Sequence, residues 1–469
     1  MSESTDTSPA TTEEPVVSNR KQPFPQGFLS TISTGWAERA ETIAPPRIEA
    51  AYAAARRVAL SALFPGSRLV IPAGELKQRS NDTDYPFRAH SAFAHLTGWG
   101  ADSEPGSVLV FEPRGDEGHD VMLYFRERAD RTTSEFYADA SVGEFWIGPR
   151  PSLAQVAADL AIATAHLDAF TASDADRVVD EDAELSRIVS ELRLIKDEHE
   201  IAQLQLAVDV TGAGFDDIVR ELPRIVTHPR GERVVEGVFH QRARSDGNGE
   251  GYDTIAASGP HACYLHWTRN DGRVLPGDLI LIDAGVEVDS LYTADITRTL
   301  PVNGRFTEVQ RRVYETVREA ADVAFAAARP GVKFREIHEA AMSVIAARVA
   351  EWGLIPVTAE EALDADRGGQ HRRYMVHGTS HHLGLDVHDC AQARRDMYYE
   401  GELAPGMVFT IEPGLYFQAD DLTVPEELRG IGVRIEDDIL MTAEGPVNLS
   451  AGIPRTADEI EAWIARLSD

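Results

Sequence analysis

Residues 279–299 read LILIDAGVEVDSLYTADITRT, a stretch that sets Asp283 and Asp295 among apolar and β-branched neighbours. Leu279 to Val286 and Leu291 to Leu300 have strand composition, and Val288, Asp289 and Ser290 between them read as a tight turn, which together predict a β-hairpin. Each aspartate stands six residues from Asp289. A symmetric hairpin therefore sets the two carboxylates opposite each other, with Cβ atoms about 5 Å apart, where like charges destabilise the pair. A positive charge between them is the expected remedy.

Working outward, the length of 469 residues predicts two domains, each able to bury a core. A formal charge of −32 repels phosphate backbones and argues against nucleic acid as a partner. Cys263 and Cys390 are the only cysteines, too few for a disulfide framework, so a reducing cytoplasm is expected and both read as buried packing thiols. The opening residues, MSESTDTSPATTEEPVVSNRKQP, lack the apolar centre of a signal peptide, and no later run is long enough to span a bilayer.

The chain divides into a disordered acidic tail (1–45), an α/β amino-terminal domain (46–187) and an α+β second domain (188–469). SRLVIPAGE, SVLVFEP and VMLYFRER supply strands to the first, and helical signal dominates from Ser152 to Leu192, with Leu185, Ile188, Val189, Leu192 and Ile195 on one face. Asp197 followed by Glu200 forms a capping box that starts a long helix. Helices are expected over Ile201 to Leu222, Val309 to Arg329 and Arg335 to Trp352, alternating with antiparallel strands. The Gly-rich SDGNGEGYD (245–253) reads as a loop, because no helix follows to make a phosphate cradle.

Three further stretches bear on the two aspartates. VHGTSHHLGLDVHD (376–389) carries His377, His381, His382 and His388; FTIEPGLY (409–416) carries Glu412; GVRIEDD (432–438) carries Arg434 and Glu436. His377 and His381 are four apart but enclose Gly378 and lack the following glutamate of a zinc helix. Arg434 and Glu436, two apart in an alternating strand, share a face. Singly, such residues are usually solvated edges or satisfied histidines. Together they make an oxygen-rich ligand set, in which four converging carboxylates repel unless cations lie between them. Two divalent ions would balance the charge.

With these motifs in order, the chain resembles the Xaa-Pro aminopeptidases (aminopeptidase P) of the pita-bread metallopeptidases. The resemblance runs from NDTDYPFRAHSAFAHLTG (81–98) through LIDAG, ADITRT, HGTSHHLGLDVH and TIEPGLY to GIGVRIEDDI (430–439). It implies a creatinase-type amino-terminal domain before a pita-bread catalytic domain. It also implies the metal ligands Asp283, Asp295, His381, Glu412 and Glu436, with Asp295 and Glu436 shared by two ions. Manganese suits such donors, and cobalt, zinc or iron fit the same set.

By the same resemblance Glu412 is also the proton shuttle, His266 and His377 shape the pocket for the residue after the cut, and His388 donates to the scissile carbonyl. Arg434 holds a ligand carboxylate, Tyr416 is a further candidate beside it, and His382 points elsewhere. Two departures from the family pattern stand out. The interval between the aspartates is one residue longer than usual, which a three-residue turn at Val288 to Ser290 absorbs. Ala94 and His95 replace aromatic residues of some relatives, with Trp99 offered as a substitute. The implied reaction removes one residue from peptides with proline second, a bond that needs a dedicated enzyme because proline lacks the N–H. A prolidase acting on dipeptides shares every ligand, and a non-catalytic peptide-binding module of this fold is disfavoured by five intact ligands. Expected partners are such peptides and further copies of the chain in a homo-oligomer, with no nucleic acid and no membrane.

Overall fold

The computed structural model describes residues 24–467 apart from Asp82 and Asp116. Of the expected tail, residues 1–23 lie outside the described residues. Residues 26–32 differ from the expectation, because Gln26–Ile32 is helical and Phe24 and Phe28 pack edge-on against Tyr137 at 5.2 and 5.3 Å between ring centroids. The aromatic residues of the segment supply apolar area that the acidic composition around them conceals.

The first domain is built on five strands ordered Ala163–His166, His119–Phe125, Val108–Pro113, Leu69–Pro72 and Arg177–Val178. The middle pairs are antiparallel and the two outer pairs parallel. The three sequence-read strands lie at its centre, because their β-branched and aromatic residues fit a pleated, half-buried surface. Helices Glu49–Leu63, Ser91–Thr97, Leu153–Leu160 and Ala183–Glu191 accompany the sheet. The last contains Arg187, where the domain boundary is expected, and is capped by the Asp182 carboxylate. Ile195 lies beyond its end and is exposed.

Asp197 and Glu200 form the expected capping box, and the helix they start runs Glu198–Ile225. Helices Gly231–Asp246, Glu308–Ala327 and Arg335–Glu351 follow. Inside the second domain lie two three-stranded sheets: Ile296–Pro301, Leu279–Ala284 and Ile255–Ser258; and Val408–Ile411, Asp437–Thr442 and Gly445–Asn448. The sheets meet where Glu436 N–H donates to Thr297 O (3.1 Å) and Thr299 Oγ1 donates to Arg434 O (2.9 Å). That seam brings the carboxylates of remote strands together. Among the described residues no helix is long and apolar enough to cross a membrane.

The opening hairpin forms with a different register. Asp283 pairs with Thr297 and Ala284 with Ile296, so Asp283 and Asp295 are diagonal neighbours on one face rather than opposite. The turn explains the shift: Val288 N–H donates to Tyr292 O, and the loop residue Leu291 takes φ +70°, the left-handed third position of a three-residue hairpin loop. The loop is therefore Asp289 to Leu291, one residue later than expected. Gly285 is required where the two strands cross closely, since a Cβ there would sit 1.6 Å from Ala294 O.

Candidate metal centre

The hairpin, the 376–389 segment and the strands around Glu412 and Glu436 converge on one cavity of about 730 Å³. Asp283, Asp295, His381, Glu412 and Glu436 all line it, together with His266, His377, His388 and Arg434. Ligand atoms of Asp295, His381 and Glu436 lie within 4.8 Å of one another. His381 Nε2 is 3.3 Å from Asp295 Oδ2 and 3.6 Å from Glu412 Oε1. Asp283 is held slightly apart, accepting from Arg434 Nη2 and from the Tyr252 hydroxyl at 2.6 Å. The same hydroxyl also reaches Asp295.

The electrostatics show what the arrangement lacks. Burial, then the Asp283 carboxylate, raises Asp295 above the usual carboxylate range. Burial, then Asp295 and Glu412, raises Glu436 well above it. Burial carries Glu412 up to about 7 against the opposing pull of His381 and Arg434. For His381 burial alone would lower the value, but its bond to Asp295 and the Glu412 charge outweigh that and raise it to about 9. A buried cluster that retains protons on carboxylates and on a histidine is short of positive charge, and a hard-oxygen set with one imidazole suits divalent cations.

Arg434 and Glu436 share a face as expected, because both bond the Thr297 hydroxyl: Arg434 Nε donates to it (3.1 Å) and it donates to Glu436 Oε2 (2.7 Å). From Arg434 a chain of bonds reaches His377. Arg434 Nη1 donates to the Tyr416 oxygen (3.1 Å), which lies 2.8 Å from His377 Nε2, while His377 Nδ1 lies 2.6 Å from Gly378 O. A carbonyl only accepts, so Nδ1 carries the hydrogen and Nε2 accepts from Tyr416. Burial, then Arg434, lowers His377 to about 3. His388 sits with its ring centroid 4.1 Å from that of His381, lowered to about 4 by burial and then by His381. Both rings are neutral at pH 7.

His382 turns away from the cavity as expected, fully buried and stacked on Phe334 at 4.4 Å. Trp99 does not reach the site. It is 2% exposed and packs edge-on to Phe125 inside the first domain, where its apolar area is worth more than at a polar rim. Both cysteines are buried, with thiols pushed up to about 12 chiefly by burial. Sequence reading missed Tyr252, inside the Gly-rich loop, and Asp438, whose Oδ2 accepts the Asp295 N–H at 3.2 Å. The only local signal for Tyr252 was an aromatic residue within that loop.

Fold and site together define a metallopeptidase. Residues 202–443 match the profile of Metallopeptidase family M24, and residues 52–185 that of Aminopeptidase P, N-terminal domain. The chain is 50% identical to Xaa-Pro aminopeptidase 1 of Streptomyces coelicolor, with 98% of this chain and 96% of that protein covered. It is 33% identical to Xaa-Pro aminopeptidase of Escherichia coli over 87% of this chain and 96% of that one. Among solved structures, the aminopeptidase PepP of Pseudomonas aeruginosa superimposes with TM-score 0.78 at 31% identity, covering 90% of this chain and 99% of that chain. Zinc-substituted E. coli aminopeptidase P in complex with product gives 0.76 at 31% identity, covering 90% and 100%. The chain belongs to metallopeptidase family M24, with the aminopeptidase P amino-terminal domain ahead of a pita-bread catalytic domain.

Proposed function

We propose that this chain is an aminopeptidase that removes the amino-terminal residue from peptides with proline second, with Asp283, Asp295, His381, Glu412 and Glu436 holding two divalent ions, manganese foremost. The observation that carries the reading is the single cavity in which those five side chains meet three further histidines. The relatives called Xaa-Pro aminopeptidase match almost end to end, and one solved relative is described as zinc-substituted and bound to product. Divalent ions bound there would supply Lewis acidity, polarising the scissile carbonyl and making a water acidic enough to attack it near neutral pH.

The chain's own residues do the rest. Glu412 Oε1 and Oε2 each lie 3.6 Å from a histidine nitrogen, of His381 and His377 respectively, so this carboxyl is placed to take a proton from the attacking water and pass it to the departing proline nitrogen. His388, on the cavity wall, offers an N–H group to the carbonyl oxygen as charge develops, and His266, on the same wall, shapes the pocket for the residue after the cut. His377 has committed both ring nitrogens, which leaves its flat face to accept the proline ring. Arg434 keeps Asp283 oriented through a charge-assisted bond and thereby holds the ligand set open.

Ile255, Leu265 and Val387 give the cavity apolar wall, and among the described residues its one arginine, Arg434, is bonded to Asp283 and Tyr416, so no free guanidinium among them claims a carboxylate directly after proline. A peptide of three or more residues with proline second should be cut after its first residue with higher kcat/KM than the matching dipeptide. Mass spectrometry locates the cut at equal metal loading, and hydrolysis of dipeptides alone would make the enzyme a prolidase. The same reading makes the protein a cytoplasmic homo-oligomer. Its supports are two free cysteines and the consecutive residues Phe145, Trp146 and Ile147, each more than half exposed, an apolar patch of the kind that marks protein contacts. Light scattering tests the oligomer.

A further inference from the structure

The 258–272 segment carries His266 to the cavity wall, yet its own secondary structure is one short 3₁₀ turn, Gly259–Cys263. Asn270 anchors one point of it, to Ala256 N, Thr254 O and Glu236, and one buried carboxylate ties together four others. Glu232, on helix Gly231–Asp246, is fully buried. Its Oε1 accepts from Ser258 N (2.8 Å) and His261 Nδ1 (2.7 Å), and its Oε2 accepts from Trp267 Nε1 (3.0 Å) and Gly272 N (2.6 Å). These donors are the entry of the segment, its turn, the neighbour of His266 and its exit. The Trp267 indole also stacks on the His261 ring at 3.9 Å. Gly272 leaves room for the carboxylate, since a Cβ there would lie 2.7 Å from Glu232 Oε2.

We infer that Glu232 is a positioning residue for the peptidase reaction, fixing the His266 imidazole at the cavity wall through Trp267 and the segment it ties together. The inference rests on the proposed role of His266. A buried carboxylate accepting several hydrogen bonds is rigid because each lost bond leaves an unpaired donor in the interior. The chemistry at this position is exacting. Both oxygens face backbone or indole N–H groups that only donate, so an amide NH₂ in either orientation meets a donor and breaks bonds on its side. Glu232→Gln keeps the shape and removes the function.

The test compares wild type, Glu232→Gln, His266→Ala and the double variant on a tripeptide with proline second, with metal content measured for each. Glu232→Gln should lose about tenfold to a hundredfold in kcat/KM, the penalty of a misplaced catalytic group, while keeping its metal. In the His266→Ala background the same change should cost less than about twofold, as expected when two residues act as one unit. Trp267→Phe removes only the indole donor and should show the same loss of effect in that background, which keeps the inference testable if Glu232→Gln does not fold. Wild-type kinetics in Glu232→Gln, or an equal fold-loss with and without His266, would overturn it. If wild type cleaves no peptide with proline second, the function reading fails. Hydrogen exchange then decides separately: Glu232→Gln should speed exchange across 259–272, and unchanged exchange would overturn the positioning role.

Discussion

Asp389 directly follows His388 and is 1% exposed, with Arg193 Nε at 2.8 Å and Lys196 Nζ at 3.4 Å from its carboxylate. Neither cation reaches water to any extent: the Arg193 and Lys196 side chains are 5% and 0% exposed. Replacing Asp389 by asparagine keeps the shape and the acceptor for the Cys390 N–H, but takes from Lys196 its carboxylate contact and leaves Arg193 with the more distant Asp386 carboxylate at 3.7 Å. At an effective dielectric of about 20, one such contact near 4 Å is worth about 4 kcal/mol before desolvation. Removing one partner of a buried pair costs about 3–5 kcal/mol in measured cases, and that is the loss expected for Asp389→Asn in the metal-loaded enzyme. Lys196→Met is the internal control. It leaves Arg193 and Asp389 as a neutral pair, replaces the lysine by a chain of similar volume, and should cost no more than about 1.5 kcal/mol. Urea unfolding followed by circular dichroism measures both. The sign of the pH dependence follows from the shift. The two cations outweigh burial and hold Asp389 below the usual carboxylate range. Its stabilising contribution is thus present above the unfolded value of about 3.9 and is lost as acid carries the pH down through the folded value. Asp389→Asn should therefore lose stability less steeply than wild type between about pH 5 and 3. Equal costs for the two variants, or a wild-type midpoint for Asp389→Asn, would refute the reasoning.

Glu412→Gln should lower kcat by about 10²-fold or more in samples shown to carry metal, and near-normal turnover there would remove Glu412 from proton transfer. Elemental analysis should find about two divalent ions per chain, with manganese restoring most activity after chelation; Asp295→Ala or Glu436→Ala should lose both, and full activity in a rigorously metal-free sample would contradict the site. Arg434→Lys keeps the charge but cannot serve Thr297, Tyr416 and Asp283 together, so metal affinity should fall about 10–100-fold, read by titration. In the metal-free protein the raised values of Asp295, Glu436 and Glu412, the last at about 7, and of His381 at about 9 mean that the folded state holds protons the unfolded chain releases. Its stability should fall as pH rises from about 5 to 9. Metal cancels that loss, so the gain in Tm on adding metal should grow over the range, and a constant gain would refute it.

Residue chemistry pointed to an oxygen-rich cluster, and the resemblance in motif order assigned its proposed ligands. Asp283, Asp295, His381, Glu412 and Glu436 are polar residues set into apolar runs, and a strand with period two shows from sequence that Arg434 and Glu436 share a face. The long helices were legible for the same reason: their caps and apolar stripes are local, as the Asp197 and Glu200 capping box illustrates. The hairpin register was not, because it turned on Leu291 adopting a left-handed φ, a conformation that a leucine does not advertise. Tyr252, Asp438 and Glu232 were invisible for a different reason. Each acts on residues 26 or more positions away, and local periodicity carries no information about which distant strand or loop will arrive beside a side chain. Trp99 shows the converse, an aromatic residue whose type suits a binding site or a core equally well and whose place was decided by packing against Phe93 and Phe125. The sequence by itself determined which residue types are available to bind and react, since that depends on their chemistry. Only the tertiary structure decided how they are held, because the carboxylates of Glu232 and Asp389 gain their partners when remote segments close around them and exclude water.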